Sequence, residues 1–132
     1  YLARDLGHWH LRGYGKWVVT AKDDGGVVGG CGLHWPDGWP RPELSWWIAP
    51  AYRRKGFAKE ASGAAIRFGY GTLGWDLVQT HMRDDNIAAQ NLVLALGGTI
   101  IAREGFPDGH TRNIYALPDV DAEPDAARDT GR

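Results

Sequence analysis

The chain of 132 residues carries a single cysteine, Cys31, which excludes an internal disulfide framework and fits a reducing compartment. No apolar run comes near the ~20 residues that a membrane-spanning helix needs, and no stretch reads as a signal sequence. A cytoplasmic location without membrane association is therefore the expectation. Neither charge is in excess: 15 Lys and Arg stand against 16 Asp and Glu, for a formal net charge of -1 at pH 7. That balance argues against nucleic acid as a partner and against an acidic interaction tail. What the chain does have in quantity is glycine, 19 residues, and tryptophan, seven. Most of the tryptophans are expected in a small crowded core, and the rest along a substrate surface.

The length suits one domain with one core. A helix is expected over Leu2–Leu11, ended by Gly13 and Gly15. Lys16–Lys22 and Val27–Trp35 read as strands, and the turn residues Asp23, Asp24, Gly25 and Gly26 between them predict a hairpin. Pro36 to Pro42 is a loop, and its tryptophans, Trp35 and Trp39, make it a candidate lid or substrate wall. Leu44–Ala49 is an aromatic strand that Pro50 ends. Phe57 to Tyr70 contains no proline and repeats Phe57, Ala61, Ala64, Ala65 and Phe68 at three- and four-residue steps, the mark of a helix with one buried face. Leu77–Met82 is a short strand. Asp84, Asp85 and Asn86 are cap residues for a helix over Ile87–Leu96 that stops at Gly97 and Gly98. Thr99–Arg103 and Arg112–Leu117 complete the strands. Residues 1–117 form one domain without internal repeat, and residues 118–132 form a polar tail.

Between the aromatic strand and the first long helix lies the most basic segment, Arg53-Arg54-Lys55-Gly56-Phe57-Ala58-Lys59. A strand, a glycine loop and a helix in this order point the unpaired N–H groups of the first helical turn at whatever lies above them, and the helix dipole favours an anion there. Gly56 and Ala58 leave the backbone open to close approach, and the three cations add charge. The segment therefore reads as a pyrophosphate seat. It contains neither a Walker loop nor the dinucleotide pattern G-x-G-x-x-G. The alternative is a basic loop capping a surface helix.

Arg53 to Ala58 has the pattern R-x-x-G-x-A, which resembles the coenzyme A loop of the GNAT superfamily of N-acetyltransferases, [QR]-x-x-G-x-[GA]. A second stretch, Asn86 to Gly98, resembles that family's N-x-x-[AS]-x-x-L-x-x-x-x-G-[FA], with Gly98 in place of Phe or Ala. It follows the first at the family's separation. Glu43-Leu44-Ser45-Trp46-Trp47 and Ala58-Lys59-Glu60-Ala61 are similar to the branch that includes ribosomal-protein N-terminal acetyltransferases. The resemblance covers Gly15 to Leu117. It implies an α/β (α+β mixed sheet) fold with a central, mostly antiparallel sheet splayed at the cofactor site and helices on its flanks. The family's first strand and most of its first helix have no counterpart before Tyr1.

The resemblance also implies the chemistry: an acetyl group passes from acetyl-CoA, with no metal, to a primary amine that attacks directly in a ternary complex. Carried over by position, Trp46, Trp47 and Ile48 offer main-chain bonds to the pantetheine arm. Arg53, Arg54, Lys55, Gly56, Phe57, Ala58 and Lys59 wrap the pyrophosphate, and Asn86, also a good helix cap, holds the arm from the other side. For the base, His81 and Glu43 are the candidates, acting through water, with His34 as a third possibility on the hairpin; an imidazole, with an ordinary pKa of about 6.5, suits proton removal near neutrality. The family's usual leaving-group acids, a tyrosine or a serine in the second helix, are replaced by Val93 and Ala89, which have no proton to give. Tyr115 or a water is the substitute, unless the thiolate leaves unassisted. A protein N-terminus and a small-molecule amine are both compatible acceptors, and family membership implies a homodimer. Two other classes remain open: a non-catalytic acyl-CoA sensor and an interaction domain that binds no cofactor.

Overall fold

A computed structural model describes residues 8–9, 11–35, 38–39 and 41–119. The helix expected over Leu2–Leu11 falls mostly outside these residues, although His8, Trp9, Leu11 and Arg12 are helical. Pro36, Asp37 and Pro40 of the tryptophan loop and the tail beyond Asp119 also lie outside them.

The element order is β1 (Lys16–Thr20), β2 (Val27–His34), β3 (Glu43–Ile48), α1 (Phe57–Arg67), β4 (Val78–His81), α2 (Ile87–Ala95), β5 (Thr99–Gly105) and β6 (Thr111–Leu117). The strands expected from the sequence are all present, with small differences at their ends. They form two antiparallel three-stranded sheets, in the orders β1-β2-β3 and β4-β6-β5. Glycines in β2 let its neighbours come close: a Cβ at Gly32 would lie 2.2 Å from the carbonyl oxygen of Gly15. Between β3 and β4 there is no ladder among the described residues. Side-chain bonds tie them at one end, where the buried Thr80 hydroxyl donates to the carbonyl of Leu44 at 2.8 Å and His81 meets the Glu43 carboxylate. Above that tie the sheet is split, and the split positions the site.

α1 covers β2 and β3, but with a different face from the one its apolar periodicity suggests. Ser62, Gly63, Ala65 and Ile66 are buried, Phe57 and Ala61 are half-buried, and Ala64 is exposed. The seam is built on small residues that allow a close approach, with Ile66 as its one large anchor. Glu60 in the first turn and Arg67 in the last complement the helix dipole. At the far end, Gly69-Tyr70-Gly71-Thr72-Leu73-Gly74 has G-x-G-x-x-G spacing. It forms a π-helical turn after a helix instead of the strand-to-helix turn that seats a phosphate.

Cys31 faces this seam, 3.7 Å from the Ser62 hydroxyl. Burial pushes its thiol up to about 11, against the opposing effects of that hydrogen bond and the Lys16 charge. A raised thiol pKa adds stability that is complete below the unfolded value and disappears as pH rises through the folded one. Cys31 is accordingly expected to react with iodoacetamide at about pH 8 at least ~100-fold more slowly in the native protein than in urea. Rapid labelling of the native chain would show that the α1–β2 seam opens.

Candidate active site

The split between β3 and β4 is a groove of about 970 Å³ whose walls include β3, the loop into α1, the end of β4 and the start of α2. Ala49 donates its N–H to the carbonyl of Val28 at 2.7 Å. Given the β2–β3 register, alternate residues of β3 therefore bond to β2, and the main-chain groups of Trp46 and Ile48 face the groove while those of Trp47 face β2. The carbonyl of Ile48 already accepts from Arg53 Nε at 3.1 Å. That bond folds the first basic residue of the loop back onto the strand.

The loop turns through two left-handed residues, Arg54 with φ 64° and Gly56 with φ 85°. Gly56 has no side-chain cap, and its carbonyl accepts the first helical bond, from Glu60. The N–H groups of Phe57, Ala58 and Lys59 precede that bond and are left for an external acceptor. A Cβ on Gly56 would meet no protein atom within 4 Å, so its absence keeps the space above the loop open. Tyr52 steadies the approach to the loop by donating to Asp24 at 3.1 Å, and Lys55 lies over the Tyr52 ring at 6.0 Å instead of lining the groove. Asn86, on the opposite wall, accepts from the N–H of Ala89 at 3.2 Å, so it caps α2 while bordering the groove. A split strand with free main-chain groups, leading to a helix terminus with free N–H groups, is a donor set that fits the pantetheine arm and pyrophosphate of coenzyme A.

A second cavity, of about 720 Å³, shares Glu43, Ser45, His81, Met82 and Asn86 with the groove. Glu43 is buried at this junction. Its Oε1 lies 2.9 Å from His34 Nε2 and its Oε2 lies 2.6 Å from His81 Nε2. Burial alone would raise the carboxyl pKa, but the hydrogen bonds from His34 and His81 outweigh it and hold the group below the ordinary carboxylate value. An ionised carboxylate only accepts, so both Nε2 atoms carry hydrogen. His81 is held on every side. Arg112 Nη1 lies 3.2 Å from its Nδ1, Trp39 stacks on its ring at 5.7 Å, and Phe106 covers it at 4.1 Å. Arg112 is paired with Asp108 and lies over the Trp39 and Phe106 rings.

Of the sequence candidates, the structure brings Glu43, His81 and His34 together, and it makes Trp39 part of the cavity wall. Trp35 lies away from that wall, under Arg12, and its indole N–H donates to the carbonyl of Trp39. Tyr115, offered beside a water as the substitute leaving-group acid, is 5% exposed, packs in the core and lines neither cavity. Sequence reasoning missed Ser45, a hydroxyl bordering both cavities, and Arg112. Neither has a local signal. Among the described residues no group of three His, Cys, Asp or Glu side chains is arranged to hold a metal ion, and no helix is long and apolar enough to cross a membrane.

Comparison with known proteins agrees with this architecture. The chain is 28% identical over 108 residues to an uncharacterized N-acetyltransferase of Bacillus subtilis, YoaA, a match that takes in 77% of this chain and 61% of the relative. It therefore spans less than two thirds of that relative. An acetyltransferase from Agrobacterium tumefaciens superposes with a TM-score of 0.79 at 22% identity, over 88% of this chain and 67% of that one. A ribosomal-protein alanine acetyltransferase from Vibrio fischeri superposes with a TM-score of 0.69 at 14% identity, over 90% and 69%. A spermidine N-acetyltransferase variant from Vibrio cholerae gives 0.67 at 18% identity, over 86% and 69%. These likenesses speak for the fold. The model of the acetyltransferase (GNAT) domain matches residues 1–99 of the 132, and the chain belongs to the GNAT acetyltransferase family.

Proposed function

We propose that this domain transfers an acetyl group from acetyl-CoA to a primary amine, either a protein N-terminus or a small molecule, by direct attack in a ternary complex. The observation that carries the proposal is the buried Glu43 carboxylate, gripped by two imidazoles where the split-strand groove meets a second cavity. Acetyl-CoA, when bound, supplies the thioester. The N–H groups of Phe57, Ala58 and Lys59 hold its pyrophosphate, with charge from Arg54 and Lys59, and the main-chain groups of Trp46 and the N–H of Ile48 pair with its arm.

The amine enters from the second cavity. It has to lose a proton as its nitrogen bonds to the acetyl carbon, and the Glu43 cluster is the proton-accepting unit within reach of both cavities. Glu43 and His81 contribute as an ion-holding pair. Ser45, at the same junction, is the hydroxyl placed to donate toward the leaving sulfur. Proteins that share this fold include a ribosomal-protein alanine acetyltransferase and a spermidine N-acetyltransferase, so the test spans both classes. Isothermal titration with acetyl-CoA is followed by a panel of a peptide N-terminus, spermidine, an aminoglycoside and an amino acid, with release of free thiol as the readout. Binding with thiol release on at least one amine is the expected result. Binding with no release on any of them would favour the acyl-CoA sensor, and no binding would favour the interaction domain.

A further inference from the structure

We propose that His34, and not His81, is the imidazole that takes the proton of the incoming amine, and that Arg112 is the positioning residue that removes His81 from that role. The proposal rests on the acetyl-transfer reading above and names its base.

A guanidinium has no lone pair to offer, so the 3.2 Å contact between Arg112 Nη1 and His81 Nδ1 is a bond donated by arginine to an unprotonated nitrogen. His81 Nε2 donates to Glu43 Oε2 at 2.6 Å. Both nitrogens of His81 are therefore committed, and its lone pair points at a permanent cation. Rotation offers no escape. Trp39 and Phe106 clamp the ring, and Arg112 is itself anchored by Asp108.

A neighbouring histidine is committed in the same way. His8 lies 6.2 Å from His34, centroid to centroid, and accepts the N–H of Trp35 at Nε2 while its Nδ1 meets the carbonyl of Tyr14. His34 is different. Its Nε2 donates to Glu43 Oε1 at 2.9 Å, and among the described residues nothing bonds its Nδ1. It borders the second cavity. The other charged groups bordering that cavity are Arg83 and Asp85, paired with each other, and the Arg112–Asp108 pair.

The step balances without any further reactant. As the amine nitrogen bonds to the acetyl carbon, its proton passes to His34 Nδ1, directly or through one water. The C–S bond breaks, and the sulfur leaves with the bonding pair. His34 becomes an imidazolium whose Nε2–H remains on the Glu43 carboxylate, so the new positive charge forms beside a buried negative one. Glu43 stays ionised throughout, and His81 remains a neutral donor that fixes the other carboxylate oxygen.

The test combines kinetics with imidazole 15N NMR on the full chain. His34→Asn is expected to lower kcat at least ~100-fold, and His81→Asn, whose amide can still donate to Glu43, only about tenfold. In the His34→Asn background, Arg112→Met, which has no donor, is expected to recover at least ~5-fold, because His81 Nδ1 then becomes available, a non-additivity that a purely structural arginine would not produce. A greater loss in His81→Asn than in His34→Asn, or a further loss in the double variant, would overturn the proposal. The spectra decide independently of turnover. In the wild type, both His34 and His81 should show hydrogen on Nε2 and none on Nδ1, and a Nδ1–H signal from either sinks the assignment. If acetyl-CoA fails to bind or no amine is accepted, the acetyl-transfer reading falls, while the NMR result still tells whether Arg112 locks His81.

Discussion

Gly56→Val is expected to weaken acetyl-CoA binding at least ~100-fold, equivalent to about 2.7 kcal/mol, in isothermal titration at neutral pH. Two effects act together. With φ at 85°, Gly56 occupies the left-handed region, where a β-branched side chain is strongly disfavoured, so the turn that aims the first-turn N–H groups would be rebuilt. The new side chain would also project into the space that the present loop leaves open, which is where phosphate oxygens must come to reach those N–H groups. The fold should survive, because no protein atom lies within 4 Å of the added Cβ and the core of α1 begins a turn later, at Ser62. Circular dichroism of the variant should therefore match the wild type. Lys55→Ala is the informative companion. Its ammonium lies over Tyr52 and does not line the groove, so it should cost well under tenfold, about 1 kcal/mol or less. Equal losses in the two variants would mean that the loop holds its ligand by net charge, and the backbone seat would have to be abandoned.

How much of this was legible in the sequence depends on the distance over which each feature is encoded. Gly56, Asn86 and Gly97 punctuate the chain locally, and each sits at an end of a helix as expected. The pairing of His34 with Glu43 follows from two strands consecutive in the chain, since the β2–β3 register places them opposite each other, nine residues apart. The buried face of α1 was misjudged because burial there is decided by closeness, and Ser62 and Gly63 carry no hydrophobic signal. Arg112 was out of reach. It meets His81 across 31 residues, through the β4–β6 register, which sets His81 against Ile114 and which no local pattern fixes. The tautomer of His81, and with it the choice of base, is therefore a tertiary property. Its ingredients are all present in the sequence, but their alignment is set by the pairing of β4 with β6, two strands that are not consecutive in the chain.

Glu43→Gln should abolish most turnover, by about 10²–10⁴-fold in kcat, while leaving acetyl-CoA affinity within about threefold. The amide has the shape of the carboxylate, so the loss would come from hydrogen-bond polarity. His81 cannot change tautomer while Arg112 donates to its Nδ1, so it keeps donating from Nε2 and claims the amide oxygen. The amide N–H₂ then faces His34 Nε2, where a donor already points, and His34 must shift its hydrogen to Nδ1. That shift removes the lone pair on Nδ1 and leaves no carboxylate to pair with an imidazolium. The same substitution isolates a term in acid stability. Glu43 has a folded pKa below its ordinary value of 4.5, so its contribution is full above that value and is lost as pH falls through the lower folded one. Urea midpoints at about pH 7 and about pH 3.5 should therefore drop further in the wild type than in Glu43→Gln, which has no such group to protonate. The exposed aspartates with lowered pKa values, Asp24, Asp84 and Asp108, are common to both proteins and cancel in the difference. An equal drop in the two proteins would mean that the buried carboxylate is not held by its two histidines in solution. A Glu43→Gln variant with wild-type turnover would remove the carboxylate from the chemistry altogether, and the proton would then have to leave by a route that does not pass through the cluster at the junction of the two cavities.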